Sequence, residues 1–143
     1  MKNVNHIVKK HIVIKAEPSA VWDALTNPEK TQQYFFNCRV ISQWKSGSPI
    51  TFKGRMFFFF KIELKGEILK IEPEKLLQYT LANHGSPGHS TVTDTLEYKD
   101  GKTTLSITDD VGKEEGAEKR YKKSVKGWDK ILKGLKELVE SEN

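Results

Sequence analysis

The sequence holds a single cysteine, Cys38, in 143 residues. No internal disulfide can form, so the fold must rest on burial, and a disulfide-stapled secreted scaffold is excluded. Long apolar runs are also missing. The longest, Met56 to Phe60, falls far short of the roughly 20 residues that cross a bilayer. The opening residues, Met1 to His6, lack the apolar stretch of a signal peptide. These absences predict a soluble, cytoplasmic protein. No repeat, low-complexity tract or linker interrupts the chain, and its length suits one domain over residues 1–143.

Motifs that carry chemistry are equally scarce. No Gly-rich phosphate loop, Ser-His-Asp spacing or paired-carboxylate motif is present. His84 and His89 share one loop but have no Cys or carboxylate partners at ligand spacing, so neither a metal nor a cofactor is expected. Cys38 has no neighbour that would activate its thiol. The formal charge is +5, from 24 Lys and Arg against 19 Asp and Glu. That mild excess speaks to solubility and non-specific attraction, not to fold. Without a recognisable binding motif, nucleic acid is not an expected partner.

What the sequence does contain is alternation, turns and one long amphipathic stretch. His11 to Ala16 is β-prone, with Ile12, Ile14 and Ala16 on one face. Pro18-Ser19 starts a short helix carrying Val21, Trp22 and Leu25. Asn27-Pro28-Glu29 ends it and starts a second, which carries Tyr34-Phe35-Phe36. Strands are predicted over Arg39–Trp44, Ile50–Gly54, Phe57–Lys70, Leu76–Leu81, Thr91–Tyr98 and Thr103–Thr108. Gly66 predicts a bulge or bend in the third of these. Asp100-Gly101 predicts a tight hairpin before the last.

The chain ends in a helix predicted over Glu114 to Glu140. Ala117, Tyr121, Val125, Trp128, Ile131, Leu132, Leu135, Leu138 and Val139 recur at gaps that form one stripe. Lys119, Lys122, Lys123, Lys126, Lys130, Lys133 and Lys136 occupy the other side. Asp129, Glu137 and Glu140 dilute that charge, so it reads as a solvated face rather than a membrane surface. The order β, α, α, several β, α argues for α+β: an antiparallel sheet of six to seven strands, curled around the long helix.

Four stretches carry a family likeness: Ile14 to Glu29, Lys65 to Pro73, Val92 to Thr108, and Gly127-Trp128 with Leu132, Leu135 and Leu138. Together they cover nearly the whole chain. The sequence resembles the START-like superfamily, also called SRPBCC, which has the birch-pollen-allergen or helix-grip fold. Within it the chain is similar to the family of the C-terminal domain of the activator of heat-shock protein 90 ATPase. It departs where Tyr34-Phe35 replace a common Trp, where Gly47-Ser48 replace Gly-Gly, and where Asp94 replaces a common aromatic.

The resemblance implies a cavity between sheet and helix that takes a small apolar or amphipathic ligand, held by a monomer or weak dimer. Expected wall residues are Phe35, Trp44, Phe57, Phe59, Tyr79, Tyr121, Val125 and Trp128. Asp94 alternates with Val92 and Leu96 onto the inner strand face. A carboxyl there is costly unless paired or solvated, so either it is a ligand anchor or general acid, or the strand is offset or bulged, or Arg55 or a lysine neutralises it. An enzyme, a cyclase or hydrolase, would need an acid–base pair, and only Asp94 with Tyr79 or Tyr121 offers one. The expectation is binding without catalysis. The resemblance also implies a chaperone partner, although the known activators carry a further N-terminal domain for which these residues offer no counterpart.

Overall fold

The structure is a computed structural model and describes residues 6–56, 60–82 and 89–142. Its elements run β1 (Ile7–Ile14), α1 (Pro18–Thr26), α2 (Pro28–Tyr34), β2 (Cys38–Ser42), β3 (Pro49–Met56), β4 (Phe60–Glu72), β5 (Leu76–Ala82), β6 (His89–Lys99), β7 (Lys102–Asp110) and α3 (Ala117–Ser141). The seven strands form one curled antiparallel sheet in the order β1-β7-β6-β5-β4-β3-β2. The predicted α+β helix-grip architecture is the one observed.

Local chemistry explains most boundaries. Pro18 and Pro28 stand in the first turns of α1 and α2, where a missing N–H costs nothing. The Asn27 side chain accepts a hydrogen bond from the Glu29 amide at 3.1 Å, capping α2. Asp100 and Gly101 take φ of 52° and 79°, as a two-residue turn between twisted strands requires.

Several boundaries differ from expectation. β1 begins at Ile7, four residues early, and ends at Ile14 rather than Ala16. Its first half, with Lys9 and Lys10, has little apolar alternation. The strand forms because it pairs with β7 from Ile7↔Asp110 to Ile14↔Thr103. β2 stops at Ser42, since Trp44 lies in the left-handed region at φ 57° and its amide donates to Ser42 Oγ. α3 starts at Ala117, because Gly116 has φ 87°. The Arg120 guanidinium donates instead to the carbonyls of Val111, Glu114 and Glu115. The bulge falls between Ile68 and Lys70, just past Gly66. Gly66 serves a different need: a Cβ there would lie 1.7 Å from the Thr80 carbonyl oxygen, so only glycine lets the two backbones approach.

α3 lies along β1 and presses its apolar stripe onto the sheet. Ala117, Trp128, Ile131, Leu132, Leu135 and Val139 are buried. The five large ones contribute about 10 kcal/mol of gross burial energy. Polar contacts tie the same helix to the β1 edge. Lys10 pairs with Asp129 at 3.0 Å, and Lys136 Nζ donates to the Val13 carbonyl at 2.7 Å. Covering an edge in this way blunts its capacity to pair with another chain. The lysines at 119, 122, 123, 126, 130 and 133 are exposed.

Candidate functional site

The inner sheet face is built from alternating positions: Ile50 and Phe52 on β3, Leu77 and Tyr79 on β5, Val92, Asp94 and Leu96 on β6, Leu105, Ile107 and Asp109 on β7. Helices α2 and α3 lie above it. Where they diverge, a cavity remains between Tyr34, Phe35, Trp44, Phe52, Tyr79, Asp94 and Trp128, floored and walled by Ile50, Leu77, Ile107, Ile131, Leu132 and Leu135. Leu25, Thr31 and Val40 complete the lining. The space between lining atoms, open mouth included, is about 400 Å³, but only about 20 Å³ admits the centre of a water-sized sphere. That is room for about one water molecule.

Aromatic contacts account for the narrowness. The Phe35 ring sits 5.2 Å from Phe52 and meets Trp128 edge-to-face at 5.8 Å. Phe52 in turn lies 5.7 Å from Tyr79. Such pairs add about 0.5–1.5 kcal/mol each beyond burial. Phe35 and Trp44 are only half-buried and stand at the mouth. Tyr34 is fixed from outside, its hydroxyl donating to the Ala24 carbonyl of α1 at 2.7 Å.

Among the described residues Asp94 is the one carboxyl in this lining, and it is 3 % exposed. Its Oδ1 has no hydrogen-bond partner. Burial, and then the nearby Asp109, push its carboxyl up to about 7. Neither Arg55 nor any lysine neutralises it: among the described residues no Lys, Arg or His lines the cavity. Arg55 lines a polar surface cleft with Arg39, Lys53 and Lys61.

Asp109 stands two pairs further along the β6–β7 ladder, opposite Val92 and on the same face as Asp94. Its Oδ2 accepts from Ser124 Oγ at 2.5 Å and from Trp128 Nε1 at 2.9 Å. Burial raises this carboxyl too, against the opposing pull of the Ser124 and Trp128 hydrogen bonds. The indole of Trp128 is therefore anchored on β7 while its ring walls the cavity. Burial and the Asp94 charge raise the hydroxyls of Tyr34 and Tyr79, so both remain neutral donors.

Of the residues expected from the sequence, Phe35, Trp44, Tyr79, Asp94 and Trp128 come together here. Tyr121 and Val125 are half-buried and pack against the core outside the cavity, Tyr121 against His6. Phe57 and Phe59 lie outside the described residues, as does His84. His89 is exposed at the start of β6, and Cys38 is buried, with its thiol raised by that burial. Phe52, Tyr34 and Asp109 were not anticipated. Phe52 alternates with Ile50 on a predicted strand and was legible there. The Asp109–Trp128 bond depends on how α3 crosses β7, which no local pattern encodes.

A curled antiparallel sheet gripping a long terminal helix, with a cavity between them, defines the START-like, SRPBCC class. Residues 15–140 match the family described as Activator of Hsp90 ATPase homolog 1-like protein, and the chain belongs to that family. Comparison with curated proteins found no match. Among solved structures, protein ChR145 from Cytophaga hutchinsonii is 33% identical with a TM-score of 0.74, over 95% of this chain and 94% of its own. Protein MLL2253 from Mesorhizobium loti is 23% identical with a TM-score of 0.80, over 96% and 98%. Protein CV1439 from Chromobacterium violaceum is 24% identical with a TM-score of 0.77, over 94% and 97%. At under 25% identity the latter two speak to fold alone.

Proposed function

We propose that the chain binds a small, largely apolar molecule between the sheet and α3, without transforming it. The observation that carries this reading is Asp94: a buried carboxyl oxygen with no protein partner, facing an aromatic-lined cavity. Apolar walls supply affinity through burial, and the few polar groups, Asp94 with the Tyr79 hydroxyl, orient the ligand. Catalysis needs a second titratable group placed to exchange a proton, and the tyrosines here are held neutral by burial. The buried, unreactive Cys38 accords with a cytoplasmic setting.

With room for about one water molecule, the cavity admits a ligand only if Phe35 or Trp44 swings aside at the mouth. Native mass spectrometry of purified protein is the test. A retained small molecule, or uptake from a panel of lipids and polyketides, is the expected result. A protein that stays empty against the whole panel would refute it.

The narrowness favours one second reading. If the rings simply fill the core, the chain is an interaction module, and the family description points to a heat-shock protein 90 ATPase as its target. A pull-down and an ATPase assay check this. No association and no change in rate would remove it.

A further inference from the structure

The unpartnered oxygen of Asp94 also constrains what kind of molecule the cavity accepts. An anionic ligand would meet the Asp94 carboxyl, with Asp109 close behind it, and among the described residues no Lys, Arg or His lines the cavity to offset them. A pure hydrocarbon would leave Oδ1 as unsatisfied as it is now. A positive head group meets neither difficulty. The ring faces of Phe35, Tyr79 and Trp128 attract cations through their quadrupoles, and a buried carboxylate gains most from an opposite charge at close range. Among the described residues, the titratable groups facing Asp94 are acids or neutral donors: Tyr34 from α2, Tyr79 from β5 and Asp109 from β7. From α1 and α3 the neighbours are Leu25, Trp128 and aliphatic side chains.

We propose that the ligand is a primary amine on a small apolar body, its ammonium paired with Asp94 Oδ1 among the aromatic rings. This rests on the cavity being a binding site and adds the chemistry of the head group. Because Asp94 holds its proton up to about pH 7, seating the ammonium displaces that proton. Affinity therefore rises as pH climbs through neutrality, by about tenfold between pH 6 and pH 8 for one group of that pKa. A ligand that accepted a hydrogen bond from the neutral acid would show the reverse slope.

The experiment is isothermal titration calorimetry of the full chain with three probes sharing one body: 2-phenylethylamine, 2-phenylethanol and phenylacetate, at pH 6, 7 and 8. The expected result is that the amine binds at least tenfold tighter than the alcohol at pH 8. Its affinity should rise with pH, and phenylacetate should not bind. D94N should abolish both the preference for the amine and the pH dependence. If D94N fails to fold, the wild-type probe series and its pH slope still decide the question. Equal or tighter binding of the alcohol or the acid, or a flat or inverted pH profile for the amine, overturns the amine proposal and leaves the binding cavity standing. No binding by any probe overturns the amine proposal, and the binding cavity falls with it only if the lipid and polyketide panel is refused as well.

Discussion

Asp94 is the residue at which the fold gives up stability. Its carboxyl is held near 7 in the folded protein, above the ordinary carboxylate value of 3.8. Between those two values the unfolded chain has lost the proton that the folded chain keeps, so stability falls as pH rises and levels off above 7. Between pH 5 and pH 8 this one group should cost about 3 kcal/mol. Urea denaturation should show wild-type protein weakening over that interval, with D94N much flatter. A D94N profile that parallels wild type would refute the assignment. At the neighbouring position, Trp128→Phe keeps a ring in the cavity wall but takes one donor from the buried Asp109 carboxylate. The expected loss is about 1–3 kcal/mol, read from the denaturation midpoint. The presence of Asp94 on the inner face was legible from its alternation with Val92 and Leu96. Arg55 falls out of phase with Ile50 and Phe52 on β3, so the same alternation turns it outward. That no lysine from another element reaches Asp94 depends on how the elements pack, which no local pattern encodes.

Among the elements, α3 carries two glycines with opposite demands. A Cβ at Gly127 would lie 3.7 Å from the Phe36 ring, an ordinary contact. Gly127→Ala should therefore stabilise the helix by up to about 1 kcal/mol. At Gly134 the added Cβ would stand 2.9 Å from Tyr34 Cβ, so α2 would have to move. Gly134→Ala should destabilise by about 1–3 kcal/mol despite its better helix propensity, and thermal denaturation of the pair should separate them in sign. Both positions sit in a helix whose existence was plain from its apolar spacing. Their difference comes from where α2 docks, which spacing does not reveal. The same limit applies to β1. Its lysines weakened the strand pattern, yet the ladder to β7, the Lys10 pair with Asp129 of α3 and the Lys136 bond from α3 to Val13 extend it. Tertiary pairing overrode local preference there.

For the whole molecule, the order of elements was enough to give the architecture, because short turns between successive strands leave an antiparallel sheet as the economical solution. The volume enclosed was not predictable in the same way. It depends on a few ring contacts, Phe35 with Phe52 and Trp128 above all, and these arise from elements far apart in sequence. A ligand that enters must break some of these contacts, so its affinity reports a difference between two packings. It should still stabilise the whole fold by mass action: about 2.7 kcal/mol at a free concentration one hundred times Kd. Thermal unfolding with increasing 2-phenylethylamine should move steadily upward. A midpoint that does not move at saturating concentration would exclude binding to the native state.

One consequence follows from how Trp128 is held. Its indole is tethered to Asp109 at one edge and abutted by Phe35 at another. An immobilised ring in an asymmetric setting gives a strong near-ultraviolet circular dichroism band. Any occupant that displaces Phe35 must alter that band while the far-ultraviolet spectrum, set by helix and sheet, stays the same. The protein thus carries an intrinsic optical gauge of whether its interior is occupied, readable without label or tag.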